Sequence, residues 1–389
     1  MKKKIVILGS TGSIGNSTLK SILKDRNFNV KVLSTNSNIK KLLKQALKFK
    51  VKNVIIENRI IYEKYKKEFK IKNINLHLGL KSLNRIIKKK VDFCVNAITG
   101  IDGLYPSLTM IPLSKNFLVA NKESIICGWD LISDKLSKYK TNFIPLDSEH
   151  FSIWELLKSE DNKNVEKVIL TASGGPFLNK PNHILKNIKP EFALNHPKWK
   201  MGKKISIDSS TMMNKIFEII EAKKIFNLSK KKISILIHPD SFIHAIVYFK
   251  GNLIKILAHN TNMQIPISNA LGIKNRSTNE LIDKELLKLN NIIFKKPTKN
   301  NFPLLSIVKL IPEKSSYFET ILITLNDYLV QQYLERKINY ISLQLNVINL
   351  LKKPYFRKYY KLKPKNIYDI KKIINMTKNY ISKNLKHYE

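Results

Sequence analysis

Lys4-Ile5-Val6-Ile7-Leu8-Gly9-Ser10-Thr11-Gly12-Ser13-Ile14-Gly15 is the stretch on which the fold turns. Its first half is a short apolar run stopped by a glycine, which reads as a buried strand, and residues 16–24 after it carry helical spacing. Strand, glycine turn and helix in that order form the setting in which such glycines serve a dinucleotide. They let the backbone turn sharply and approach a pyrophosphate held on the helix N-terminus. A tight turn without a ligand is the alternative.

Working outward, residues 30–34, 54–57, 91–98 and 117–120 read as further strands, separated by lysine-rich helical stretches such as 39–48. Alternating strands and helices predict an α/β chain that opens with a parallel, doubly wound, Rossmann-like sheet. Ligands of such sheets bind beyond the carboxyl ends of the strands, so Asn121-Lys122-Glu123 after 117–120 points at cofactor or substrate, with a solvated loop as the alternative. Strands are also expected at 168–172, 233–237 and 245–249. His238-Pro239-Asp240-Ser241 bridges the last two, and Gly251-Asn252 closes a further hairpin.

Two clusters carry candidate chemistry. Asp147 and Glu149 stand at i and i+2 and, in an extended chain, project to the same side. Like charges that close call for a cation between them, and with Glu218 as third carboxylate they suit a hard divalent ion such as Mg²⁺ or Mn²⁺. A helix cap plus an exposed acid explains the pair equally well. Asp208, Ser209, Ser210 and Thr211 are candidate N-caps of a helix starting near Ser210, on which Asn214, Lys215 and Glu218 share a face. Serines at a helix start with Asn and Lys one turn on make a phosphate clamp, or else an ordinary capped amphipathic helix. Ser173-Gly174-Gly175 is an anion-friendly loop. Trp199 and Met201, on a Pro- and Lys-rich segment with His196, suit a lid over a small ligand, or a loop that packs Trp199 into a core.

Composition sets the remaining limits. The 389 residues include 70 Lys+Arg against 29 Asp+Glu, a formal charge of +41, but the lysines are spread evenly rather than gathered in one arm. That predicts weak, salt-sensitive attraction to polyanions and no specific nucleic-acid role. Cys94 and Cys127 are too few for a disulfide framework, and no apolar stretch approaches a membrane span. Neither targeting nor membrane insertion is expected. Residues 1–146, 147–272 and 300–389 are expected as a nucleotide-binding domain, a catalytic α+β domain with a flap, and a helical C-terminal domain, with 273–299 as connector.

Taken in order, Gly9-Ser-Thr-Gly-Ser-Ile-Gly15, Ala120-Asn-Lys-Glu-Ser124, Leu146-Asp-Ser-Glu-His150, Ser173-Gly-Gly-Pro-Phe177, His196-Pro-x-Trp199, Met201-Gly-Lys-Lys-Ile-Ser206 and Asp208-Ser-Ser-Thr-Met-Met-Asn-Lys215 resemble the 1-deoxy-D-xylulose 5-phosphate reductoisomerase family over nearly the full length. The resemblance implies a cytoplasmic, homodimeric enzyme of the non-mevalonate isoprenoid route. Such an enzyme rearranges a phosphorylated ketose and reduces it with NADPH to 2-C-methyl-D-erythritol 4-phosphate, using Mg²⁺, Mn²⁺ or Co²⁺. It implies Asp147, Glu149 and Glu218 as metal ligands and, with Lys122, as the catalytic set. Lys122, Ser148, Glu149, Ser173, His196, Trp199, Ser209, Asn214, Lys215 and Glu218 fall at substrate positions. Thr11, Gly12, Ser13, Ile14, Asn36, Ser37, Asn38, Asn121, Glu123 and Gly202 fall at cofactor positions, and Trp199 and Met201 on the mobile flap. The chain departs from the family where Ser37 replaces a basic residue, with Lys40 and Lys41 close behind. It departs again at Ile216-Phe217 and at Asn326-Asp327.

Overall fold

The computed structural model describes the chain except residues 24, 26, 179, 181, 200, 275–286, 291 and 385–389, and the side chains of 182 and 183. About half of the expected connector therefore lies outside the described residues, as does the end of the C-terminal segment.

The chain forms two compact units, one from Met1–Ile125, Trp129–Phe151 and Asn262–Ser277, the other from Ile126–Gly128, Ser152–Thr261 and Thr278–Glu389. Asn262–Ser277 belongs to the first unit because its helix Gln264–Ala270 packs on Ser13–Leu23, where Ser268 and Ser21 hydroxyls meet at 3.0 Å.

In the first unit, β1 (Lys3–Leu8), β2 (Phe28–Thr35), β3 (Asn53–Ile56), β4 (Asn75–Leu78), β5 (Val91–Asn96), β6 (Ser114–Val119) and β7 (Asn142–Pro145) form one sheet in the order β4-β3-β2-β1-β5-β6-β7. Every neighbouring pair is parallel, as the alternating pattern predicts. Ile5, Val6, Ile7 and Leu8 are fully buried, since a strand covered on both faces needs apolar residues at every position rather than at alternate ones. Each such side chain contributes about 1.5–3 kcal/mol. Strand order reverses at β1, between β2 and β5, and that crevice is where doubly wound sheets take their ligands. The polar β4 has no apolar run and went unseen in the sequence.

In the second unit, β8 (Val165–Ala172), β9 (Ile233–Ile237), β10 (Ile243–Phe249) and β11 (Ile254–Ala258) form a mixed sheet in the order β11-β10-β8-β9. The hairpin of β10 and β11 is as expected, turned by Gly251 and Asn252 at φ of 80° and 63°. β9 and β10, adjacent in sequence, are not paired: β8 lies between them, parallel to β9 and antiparallel to β10. Helices Tyr317–Leu334, Tyr340–Leu351 and Ile367–Asn384 supply the expected C-terminal helical region. Among the described residues no helix is long and apolar enough to cross a membrane.

Candidate active site

The turn after β1 is glycine for steric reasons. Gly9 adopts φ of +73°, and a Cβ there would stand 2.6 Å from the Ala97 carbonyl oxygen, while one on Gly15 would stand 2.4 Å from that of Gly9. Helix Ser13–Leu23 can therefore start directly on the turn, leaving Gly12 and Ser13 exposed at its N-terminus. The turn is braced from behind. Buried Gln45 donates to the Ser10 carbonyl (3.0 Å) and to Asn16 Oδ1 (2.9 Å), and Lys41 Nζ donates to the Thr11 carbonyl (2.8 Å). Thr11 and Thr35 hydroxyls meet at 2.7 Å. Asn36, Ser37 and Asn38 follow β2 as exposed residues, and Asn38 caps helix Ile39–Lys48. No acidic residue lies between 30 and 38, so nothing there repels a 2′-phosphate.

Asn121 caps helix Lys122–Tyr139 by accepting from Ser124 N at 2.6 Å, and its amide donates to the carbonyls of Ile98 and Gly100. That side chain is buried and joins the ends of β5 and β6, so any approach of a cofactor here is to the backbone. Glu123 is half-buried in the first turn of the helix. Lys122 donates to Asp147 Oδ2. The expected extended run at 147–149 is instead a helix start. Helix Ser148–Leu156 begins one residue after Asp147, whose Oδ1 accepts from Glu149 N (3.1 Å) and meets His150 Nδ1 at 3.1 Å. Carboxylates cap helices well, so the cap and the candidate metal ligand are the same residue. Burial works against the Asp147 charge, yet the Lys122 ammonium and the His150 ring outweigh it and hold the carboxyl well below the usual carboxylate range. The Ser148 hydroxyl donates to Glu149 Oε2.

The second unit holds the remaining candidates. β8 runs out into Ser173, followed by Gly174 and Gly175 at φ of 85° and 69°. Nδ1 of His196 accepts backbone N–H groups from Lys198 (3.2 Å) and Trp199 (2.9 Å), so the ring hydrogen sits on Nε2 and is donated to the Ser173 hydroxyl at 3.0 Å. Ser173 Oγ also accepts from Gly175 N at 3.2 Å, which leaves its own hydrogen available for donation. Burial, helped by the Lys215 ammonium, pulls the His196 pKa down to about 4, so the ring is neutral near pH 7. Trp199 is half-buried, its ring edge-on to His244 at 6.2 Å, and Met201 is half-buried beside it in sequence.

Ser209 and Ser210 do not begin a helix. They end one, Lys203–Ser210, whose N-cap is the exposed Gly202, and Met212 at φ of 64° breaks the chain before helix Met213–Ile225. A run of hydroxyls reads locally as an N-cap, but here a preceding turn of helix already uses their backbone N–H groups. The shared face beyond is as expected: Asn214 Nδ2 lies 2.5 Å from Glu218 Oε1 and Lys215 Nζ 2.6 Å from Glu218 Oε2, with Glu218 fully buried. Sequence reasoning missed the groups that hold this segment, namely Lys204, Asn326 and Tyr340. Nothing in their sequence context marks this role, which shows only where buried Asn326 and Tyr340 and half-buried Lys204 meet Asp208 and Ser210.

Comparison with known proteins bears on both units. Residues 5–128 match the model of 1-deoxy-D-xylulose 5-phosphate reductoisomerase, and 143–226 and 259–380 match C-terminal domains of that enzyme. The chain is 47% identical over 377 residues to the 1-deoxy-D-xylulose 5-phosphate reductoisomerase of Pelagibacter ubique (strain HTCC1062), covering 95% of this chain and 96% of that protein. It is 38% identical to that of Persephonella marina (strain DSM 14350 / EX-H1), covering 96% of each. The solved enzyme from Zymomonas mobilis in complex with NADPH superposes with a TM-score of 0.87 at 29% identity over 97% of each chain. A reductoisomerase in complex with NADPH, fosmidomycin and magnesium superposes with a TM-score of 0.88 at 30% identity over 99% of each.

Proposed function

Because the chain belongs to the 1-deoxy-D-xylulose 5-phosphate reductoisomerase family, we propose that it carries out that family's reaction in isoprenoid precursor biosynthesis. It rearranges 1-deoxy-D-xylulose 5-phosphate and reduces it with NADPH to 2-C-methyl-D-erythritol 4-phosphate, with a divalent cation. The full-length match to the Pelagibacter ubique enzyme carries this reading.

Asp147, Glu149 and Glu218 each offer a carboxylate oxygen, a donor set that suits Mg²⁺ or Mn²⁺. They would hold the ion, which supplies Lewis acidity at the substrate's oxygens. Lys122, already on Asp147, keeps that carboxylate ionised and brings a cation toward the reacting carbons, with Ser148 beside it. Ser173, Ser209, Asn214 and Lys215 bind the phosphate, anchoring the substrate at a point remote from the bonds that change. Neutral His196 orients the Ser173 hydroxyl so that its hydrogen points to the anion. Half-buried Trp199 and Met201 shield the site from water.

For the cofactor, the exposed helix start at Thr11, Gly12, Ser13 and Ile14 takes the pyrophosphate, joined by Asn36, Ser37, Asn38, Asn121, Glu123 and Gly202. On this reading residues 1–146 bind NADPH and 147–272 bind metal and substrate, while 273–299 is a connector to a helical C-terminal domain at 300–389. Buried Cys94 and Cys127, neither of them in a disulfide, suit the cytoplasm. A homodimer is supported by β11, the last strand of its sheet, which exposes Ile254 and Ile256 next to Leu253, an edge suited to a second copy. NADPH oxidation driven by 1-deoxy-D-xylulose 5-phosphate, and lost on adding a chelator, is the expected result. Failure of that substrate to drive oxidation in the presence of Mg²⁺ or Mn²⁺ would refute the assignment.

A further inference from the structure

Along 206–211 every residue is buried except Ser209. Asp208 and Ser210, its neighbours, point inward and are gripped. Asn326 Nδ2, from helix Tyr317–Leu334, donates to Asp208 Oδ1 at 2.7 Å. Lys204 Nζ lies 3.5 Å from Asp208 Oδ2 and 2.9 Å from Asp327 Oδ1, tying the two carboxylates together. Tyr340, the first residue of helix Tyr340–Leu351, donates its hydroxyl to the Ser210 carbonyl at 2.7 Å, with Ser210 Oγ at 3.2 Å. On the other side Gly175 packs so closely that a Cβ there would stand 3.0 Å from Ser210 Cα and 3.1 Å from the Ser209 carbonyl oxygen.

The segment is thus held from three directions, and Ser209, its one half-buried residue, makes no side-chain hydrogen bond among the described residues. Two details suggest that the grip serves placement rather than stability. Asn326 is fully buried, yet its Oδ1 has no hydrogen-bond partner among the described residues, an arrangement costly to keep for one donor. Tyr340 already fills its space with its ring, edge-on to Phe177 at 5.2 Å and Tyr333 at 5.8 Å, so its hydroxyl is an addition to packing that is complete without it. Burial raises the Tyr340 pKa well above its ordinary value, so the hydroxyl keeps its hydrogen and acts as a donor.

We propose that Asn326 and Tyr340 are positioning residues that fix segment 208–210 so that the Ser209 hydroxyl meets the substrate phosphate. The inference rests on the reading of Ser209 as a phosphate-binding residue. It gives the C-terminal helices a part in substrate affinity, although none of their residues is assigned to touch the substrate.

The test compares Tyr340→Phe, which keeps the ring, Asn326→Leu, which keeps the volume, and Ser209→Ala as reference. Four quantities are read: KM for 1-deoxy-D-xylulose 5-phosphate, the inhibition constant of inorganic phosphate, the dissociation constant of NADPH, and the thermal midpoint. Loss of one well-placed hydrogen bond to an anion is expected to raise the first two about tenfold in each variant, with NADPH binding unchanged. Tyr340→Phe in the Ser209→Ala background is expected to add nothing further. If Ser209→Ala raises KM while Tyr340→Phe and Asn326→Leu only lower the thermal midpoint, the positioning role is refuted and the phosphate reading stands. If Ser209→Ala leaves KM and phosphate inhibition unchanged, the phosphate reading itself fails, and the positioning role with it.

Discussion

Glu319→Gln puts a number on the interaction that seats helix Tyr317–Leu334, the helix that carries Asn326. Glu319 and Lys224 form an ion pair at 3.2 Å with side chains only 1% and 5% exposed. Glu319 also closes a capping box, accepting from Ser316 N (3.0 Å) and Ser316 Oγ (3.2 Å). Glutamine at that position still serves a capping box, so the substitution removes the charge and spares the cap. Lys224 is left buried, with the Ser315 hydroxyl at 2.9 Å as its remaining partner among the described residues. Breaking a buried pair from one side costs about 3–5 kcal/mol, because the other charge stays uncompensated. At roughly 2–4 °C per kcal/mol for a unit of this size, the midpoint should fall by about 6–20 °C. The loss should depend on pH through Lys223 next door. Burial lowers the Lys223 pKa while Glu319 pushes it up. A lysine with a lowered folded pKa binds fewer protons folded than unfolded, so stability rises with pH between that pKa and the ordinary value of 10.5. Without Glu319 the window opens lower, and the variant should be worst near pH 7 and recover toward pH 10. Urea titration by circular dichroism at both pH values, with hydrogen exchange of the helix amides to locate the change, gives the measurement. Lys224→Met added to Glu319→Gln should restore most of the loss. A single variant within about 1 kcal/mol of the parent, or a double variant no better than the single, would refute the reasoning.

Gly15→Ala should weaken NADPH binding tenfold or more, read by fluorescence titration, because its Cβ would lie 2.4 Å from the Gly9 carbonyl oxygen and the helix must back away from the turn. Unchanged affinity would mean that the turn does not hold the pyrophosphate. Ser37→Lys should widen the preference for NADPH over NADH, and Lys41→Met should narrow it about tenfold if the Lys41 ammonium, 2.8 Å from the Thr11 carbonyl oxygen, reaches the 2′-phosphate. Dissociation constants for the two cofactors decide this, and an unmoved ratio in both variants removes these residues from the 2′-phosphate site. The His196 pKa is lowered from 6.5 to about 4, so the unfolded loop takes up a proton that the folded one refuses. Order at His196 to Trp199 should therefore be intact above pH 6.5 and weaken as pH falls toward 4. Trp199 fluorescence in a Trp129→Phe, Trp154→Phe background should follow that curve, and His196→Gln should flatten it.

What was legible in the sequence was local. Ile5 to Leu8 announced a buried strand, and Gly9 and Gly15 a turn that only glycine can make, because burial and backbone sterics act between near neighbours. The shared face of Asn214, Lys215 and Glu218 followed from helical spacing alone. Where a short polar side chain serves caps and sites alike, local reading could not choose. Asp147 turned out to be a cap as well as a candidate ligand, and Ser209 and Ser210 to close a helix rather than open one, because the turn before them already occupied their backbone. Sheet order was equally hidden. β8 separates β9 from β10 through pairings 65 to 84 residues apart, and no periodicity records which strand a ladder selects. The hold of Asn326 and Tyr340 on segment 208–210 spans about 120 to 130 residues, a distance at which sequence spacing carries no information and only the packing of the C-terminal helices decides who meets whom.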